Sequence, residues 1–457
     1  MTIARFEYAA ILLGTLAALA VLAEPKTAAV LCCALILIAG SLWLLDRPGR
    51  WLGVFFCAAA LLPPLPIALG NAGPHPAIAV AFAGGLAGLA YPRWRFRANM
   101  LTSAMLLLTT SILCSLAFAA LYSGPDIAGA SLIRALLFAI SVYVFFFASC
   151  GPAATQPAFP IVRLLFVVAV VAALFACIDF YYQLPAPGGF SPQFVWLDSG
   201  VFRRAQGLFY EASTLGNFCA FFLVMIGVSI VRPANERPVK LSWMIAGGVL
   251  LAGALVLSYS RASVVNILVS AGALWFLKKK RGPIWRPLAI AAFSVGAACL
   301  TCYLLMPQLL SAYVLRLWNS VVYSSSSTNG ILSGRLDSWR TILKFLFENP
   351  WHLIFGVGYK TLPYSDFTGA PVIADNTYLS VLAETGLFGL TALILFLGAA
   401  LRTGYRAANN ADPAKSFFGT WTFCFWCGQA AQMMSGDLLT YWRVLPIYLW
   451  VLAAAAR

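Results

Sequence analysis

The 457-residue chain alternates long apolar runs with short polar turns. Most runs are about 17 to 25 residues long, the length at which a helix crosses ~30 Å of hydrocarbon. The pattern predicts spans over about 6–23, 27–45, 51–69, 75–91, 100–122, 131–150, 160–183, 205–231, 241–259, 262–277, 287–306, 377–401, 416–434 and 438–456. No run shows the strict alternation of a membrane β-barrel strand. The first lacks a small-residue cleavage signal and is expected to be a retained helix. Glu24-Pro25-Lys26 and Ser258–Ala262 are turns so short that either one also fits a bent or re-entrant segment. Two stretches between spans exceed ordinary turns, about 184–204 and about 307–376. In the second, Ser333 to Pro350 predicts an amphipathic helix with an apolar stripe of Leu336, Trp339, Ile342, Leu343, Phe345 and Leu346, suited to the membrane interface.

Composition agrees: 61% hydrophobic and 10% charged residues exclude a water-soluble globule. The expected fold class is an all-α polytopic membrane protein of about 12–14 spans, a single transmembrane domain over 1–457 with one large loop at 307–376. Charge then orients it. With the N-terminus inside, nineteen of the 30 Lys and Arg fall on inside loops and span ends, opposed there by Glu7, Asp46, Glu236 and Asp412 alone. The inside therefore carries the whole net charge of +15, and the other eleven bases are matched by eleven acids. Basic residues stay on the cytoplasmic side of bacterial membranes, so both termini are expected in the cytoplasm. Charge placed in this way points to a membrane rather than to nucleic acid. The eleven cysteines lie in apolar runs and are expected to pack without disulfides, Cys424-Phe-Trp-Cys427 included.

Against that pattern, Arg203, Arg204, Arg261, Arg335 and Arg340 sit at outward span ends or in the long loop. A charge at the lip of the bilayer costs roughly 2.5–3.5 kcal/mol on insertion scales unless it meets a partner or a cavity. Arg203-Arg204 precede a helix carrying Gln206 and Glu211, and Glu211 suits either pairing with them or a substrate contact. Arg261 stands in Ser258-Tyr-Ser-Arg-Ala-Ser with almost no loop to hold it. Arg335 opens the amphipathic helix, where free N–H groups and a guanidinium together favour a phosphate. Arg340 with Asp337 also reads as a plain surface pair, and Lys344 lies one turn from Arg340. Asp375-Asn376-Thr-Tyr378 opens the twelfth span, and Glu384 lies nine residues further in, where a carboxylate needs a partner. Asp375 and Glu384 are the candidate bases facing the arginines; Asn376 also fits a helix cap, and His352 a solvated loop residue. No metal-ligand cluster stands out.

These segments, in this order, resemble the superfamily of O-antigen ligases and Wzy-type O-antigen polymerases. The match rests on Arg203-Arg-Ala-Gln-Gly-Leu-Phe, Ser258-Tyr-Ser-Arg-Ala, Ser333-Gly-Arg-Leu-Asp-Ser-Trp with Phe355-Gly-Val-Gly-Tyr, and Asp375-Asn-Thr-Tyr-Leu through Glu384-Thr-Gly-Leu-Phe-Gly-Leu. It covers about residues 200–400, the family-like catalytic region. The resemblance implies a metal-independent, cofactor-free GT-C-type glycosyltransferase of the bacterial inner membrane with its active face in the periplasm. Its donor would be an undecaprenyl diphosphate-linked glycan held by Arg203, Arg204, Arg261, Arg335 and Arg340, with Asp375, Arg261 and Arg335 catalytic. Glu211, Asn376, Tyr378, Glu384, Lys344 and His352 would support them.

One position departs from the family. Ligases usually carry a histidine before the asparagine of the last motif, where this chain has Asp375. The aspartate favours a polymerase of O-antigen or exopolysaccharide, whose acceptor is a second lipid-linked glycan. The alternative is a ligase that delivers the glycan to the lipid A core of lipopolysaccharide. An aspartate paired with an arginine is also a poorer base than a histidine. A lipid-linked glycan flippase is the reading from another class. Transporters of that kind tend to show repeated halves and a charged central path, and neither is visible here.

Overall fold

Gly124 sets the path of the longest helical segment. The computed structural model describes residues 49–65, 75–89, 94–96, 98–186, 190–197, 200–278 and 335–457, with positions 91, 311, 314, 315 and 318. The spans expected over 6–23, 27–45 and 287–306, and most of the loop before residue 335, lie outside the described residues. The chain runs through α1 (Arg50–Leu61), α2 (Pro76–Leu89) and α3 (Met100–Ser149). A straight 50-residue helix would be about 75 Å long. At Gly124, however, φ is +81° and ψ 171°, a conformation open to glycine, and Pro125 follows. The Arg95 N–H reaches the Cys150 carbonyl at 2.8 Å, and Trp94 packs on Tyr143 and Phe147, so the two ends of α3 lie together. Its arms are therefore the antiparallel pair expected over 100–122 and 131–150.

After α4 (Phe159–Tyr182) a short hairpin, β1 (Phe194–Leu197) and β2 (Gly200–Arg203), pairs Phe194 with Arg203 and Leu197 with Gly200. It occupies the stretch read as the first long loop. Then come α5 (Ala212–Ile230), α6 (Leu241–Leu257), α7 (Arg261–Lys278), α8 (Arg335–Glu348), α9 (Pro350–Phe355), α10 (Thr377–Ala408), α11 (Pro413–Gln432) and α12 (Leu445–Ala456). The chain is an all-α polytopic membrane protein. Among the described residues, α3, α4, α5, α7 and α10 are long and apolar enough to cross a bilayer.

The two ends of the bundle differ. At one, Arg457 donates to the Gln156 carbonyl at 3.1 Å, Arg163 to that of Pro238 at 2.8 Å, and Arg232 to that of Pro413 at 3.0 Å. These arginines belong to the set that the sequence assigns to a single side of the membrane. At the other end, buried Arg443 donates to the carbonyls of Ala59, Leu62 and Leu208 at 2.7, 2.9 and 2.5 Å. It satisfies carbonyls that the end of α1 leaves free and places α1 against the chain before α5.

Two departures from the expected spans matter. The last span does not begin at 438: residues 433–444 are irregular apart from one 3-10 turn, yet Met433, Leu438, Leu439, Tyr441 and Val444 are buried. Irregular backbone is tolerated at such depth where protein surrounds it. The stripe of α8 packs on protein as well, with Ile342 and Leu346 fully buried against Val357, Leu362, Leu379 and Ala383. The face left exposed carries Leu343 and Phe347, with Trp351 on the adjoining α9.

Candidate active site

The site end is built around a broken helix. Within α10, Gly386 has φ +70° and ψ −171°, which divides the helix after Thr385. A break inside a span frees backbone groups that lipid cannot satisfy. The segment after α9 supplies the partners: the Val357 N–H donates to the Ala383 carbonyl at 3.0 Å and the Gly358 N–H to that of Glu384 at 2.9 Å. Contact is so close that a Cβ on Gly386 would stand 2.1 Å from the Ile354 oxygen, and one on Gly356 2.3 Å from the Glu384 oxygen. Two of the sequence motifs, Phe355-Gly-Val-Gly-Tyr and Glu384-Thr-Gly, are thus the two sides of one joint.

Above it, three arginines from three elements converge. Arg204 follows the hairpin, Arg261 opens α7 and Arg335 opens α8, and both of the others lie within electrostatic reach of Arg204. The Arg204 Nε donates to the Ser258 carbonyl at 2.8 Å, in the turn where Tyr259 takes a left-handed φ of +51°. Burial pulls the Arg204 guanidinium below the ordinary arginine range; Tyr441 and Glu211 offset part of this, and the two other arginines add to it. Arginine still keeps its charge, so the cluster carries an electrostatic demand for an anion.

Glu211 caps the approach to α5, and its Oε2 accepts from the Thr214 hydroxyl at 2.6 Å. Burial raises its carboxyl above the usual range, against the lowering influence of Thr214 and Arg204, while Asp375 and Asp437 add to the rise. Asp375 stands at φ +45° and accepts from the Arg335 Nε at 3.1 Å. Tyr441, from the buried irregular segment, feels Glu211, Asp437 and Asp375; burial first and these acids next keep its phenol protonated. The arrangement is a cluster of three arginines, flanking carboxylates and one phenol.

Beneath lies a cluster that the sequence reading did not assemble. The Lys360 ammonium stands 3.6 Å from Glu384 Oε2, in short contact with Asp437 Oδ2, and 3.3 Å from the Ser380 hydroxyl. Burial alone would lower its pKa, but Asp437 and Glu384 outweigh that and hold it above the lysine range. Glu384 thereby finds the partner its depth required. Asp437 carried the same signal as Glu384, a charge with little loop to hold it, whereas Lys360 lay in the long loop and was marked only by directly following the Gly-Val-Gly-Tyr motif. A second network ties the spans together. Asn217 and Asn266 each donate to Gln429 and Gln432 at 2.7 to 3.2 Å, and the Tyr448 hydroxyl donates to Asn217 at 2.6 Å. These side chains come from α5, α7, α11 and α12 and act as polar glue between helices.

Other candidates stand apart. Arg203 pairs with Asp179 at 3.2 Å at the end of α4, rather than with Glu211. Arg340 and Lys344 are about three-quarters exposed and pair with Asp337 and Glu348 on their own helix. His352 stacks on Phe345 at 5.3 Å and meets Tyr122 edge-on at 4.8 Å, and burial lowers its pKa. Asn376 caps α10 by accepting the Leu379 N–H at 3.1 Å, and the Tyr378 hydroxyl donates to the Ala430 carbonyl at 2.8 Å.

Helices of membrane-crossing length, a braced break in one of them and arginines gathered at one end define a polytopic membrane protein. Residues 246–394 match a family model described as O-antigen ligase. The matched stretch contains Arg261, Arg335, Lys360, Asp375 and Glu384, whereas Arg204, Glu211, Asp437 and Tyr441 lie outside it. No curated protein matches the chain.

Proposed function

We propose that the chain is a GT-C-type glycosyltransferase of the bacterial inner membrane. It moves a glycan from an undecaprenyl diphosphate-linked donor to an acceptor hydroxyl at the periplasmic face, and acts as a polysaccharide polymerase. The observation that carries this reading is the convergence of Arg204, Arg261 and Arg335 beside the carboxylates of Glu211 and Asp375. As the glycosidic bond breaks, its oxygen leaves with the diphosphate and negative charge gathers there. Guanidiniums fixed in a dry site stabilise that charge more in the transition state than in the bound donor. The acceptor oxygen attacks the anomeric carbon while a carboxylate takes its proton. Asp375 is committed to Arg335, which it orients, so Glu211 is the better-placed base.

The acceptor decides between two versions. Asp375, standing where ligases usually carry histidine, favours a second lipid-linked glycan and hence polymerisation. The description of the matched family favours delivery to lipid A core. Deletion of the gene separates them on a gel of surface glycans: single repeats kept on the final acceptor indicate a polymerase, and loss of attachment with lipid-linked polymer accumulating indicates a ligase. For the clamp itself, Arg261→Ala and Arg335→Ala in reconstituted vesicles should each lower transfer by about 10²–10³-fold while the protein stays in the membrane. Full activity in either variant refutes it.

A further inference from the structure

The bundle end opposite the arginine cluster holds a cationic pocket outside the proposed transfer site. It measures about 430 Å³ and lies between the start of α3, the end of α10, the start of α11 and the last residues of α12. Arg402, Arg406 and Lys415 line it, and no acid does among the described residues. Asp412, next to it in sequence, spends a carboxylate oxygen capping the Ala414 N–H at 2.9 Å. Among the described residues, the Arg402 Nη1 meets a sulfur, Met100 Sδ at 3.5 Å. Met100 and Leu101 also line the pocket, and they belong to the first turn of α3, where Asn99 Oδ1 accepts the Thr102 N–H at 2.9 Å and the Met100 and Leu101 N–H groups have no acceptor within the helix.

Three cations around one cavity, without a carboxylate among its lining residues, call for a multivalent anion. The volume is an order of magnitude above the ~30 Å³ of a water molecule. The surroundings say which anion. Tyr405, Met100, Leu106 and Leu395 are all exposed, on the two helices that flank the pocket. Leu106 and Leu395 lie about two turns further along α3 and α10, towards the middle of the spans. The pocket is therefore polar at the bundle end and opens onto apolar helix surface, the profile of a phosphate headgroup with acyl chains beneath it. We infer that this pocket is a binding site for an anionic phospholipid headgroup, held by Arg402, Arg406 and Lys415. Such basic pockets between spans suit anionic headgroups, and the excess of basic residues at this end matches the leaflet where anionic lipid attracts charge.

The test uses the full chain purified in detergent and delipidated, with its unfolding midpoint followed during titration with phosphatidylglycerol. The lipid should raise the midpoint of the wild type and of Lys240→Gln, which removes an exposed base at the same end. The variant Arg402→Gln/Arg406→Gln/Lys415→Gln should need at least about tenfold more lipid for the same rise. Phosphatidylethanolamine and inorganic phosphate at equal concentration should have little effect. A triple variant that responds like the wild type overturns the proposal, as does equal protection by either control ligand. Should the triple variant not fold, Arg406→Gln alone must still need more lipid, and a wild-type response there overturns it equally.

Discussion

Lys360 stands between the buried carboxylate of Glu384 and the partly buried one of Asp437, and that sets what its loss does. Removing one partner of a buried ion cluster leaves the others uncompensated, at about 3–5 kcal/mol. Lys360→Met should therefore lower the unfolding midpoint in detergent sharply, and Lys360→Met/Glu384→Gln should recover part of it; a silent single variant would dismiss the cluster as structural support. Glu211 carries the pH prediction. Its raised pKa means that the folded protein holds this proton more tightly than the unfolded chain, so stability falls as pH rises from about 4.3 through the raised value. The form able to accept a proton fills above that raised value. The acid limb of kcat/KM should then lie above the ordinary carboxylate range, and Glu211→Gln should lose both the limb and most of the transfer. An unchanged profile in that variant moves the base elsewhere. Single residues at the site were legible where a charge stood out against lipid, as with Arg261 and Glu384. Arg203 and Arg204 were not separable, since adjacent side chains of a strand end point to opposite faces, and only the structure shows that one meets Asp179 and the other Ser258.

At the level of elements, hydropathy finds apolar runs but is blind to where their hydrogen bonds go. It gave the bounds of α4, α6 and α7 to within two residues, yet read α10 as one span and residues 438–444 as helix. Both misreadings share a physical cause: the break at Gly386 and the irregular stretch before α12 are satisfied by partners distant in sequence, Val357 and Gly358 in one case, Lys360 and Thr377 in the other. A methyl group at Gly386 would meet the Ile354 carbonyl as well as an unfavourable φ, so Gly386→Ala should cost at least about 1–3 kcal/mol. Thermal unfolding should show the loss, and transfer should fall with it because Asp375 and Glu384 sit on either side of the first half of α10. Gly398→Ala, on the same helix with open space around it, should leave both unchanged.

Across the whole molecule, charge asymmetry was the most legible property, since it needs no knowledge of packing. The arginine cluster and the basic pocket lie at opposite ends of the described bundle. The orientation proposed here makes two labelling outcomes follow. With a membrane-impermeant thiol reagent on intact spheroplasts, Arg340→Cys should react above the parent background, and Lys240→Cys only after the membrane is opened. The reverse pattern would invert the topology and place the arginine cluster in the cytoplasm. The joint between residues 354–358 and 383–386 bears on engineering. Donor choice in such a protein invites loop grafting, in which 335–376 is exchanged with that of a relative to change the sugar handled. Because the graft would bring its own N–H donors to a break that the recipient's α10 has already placed, loop and broken helix form one inheritable cassette. Chimeras that move 335–408 together should assemble where loop-only chimeras do not.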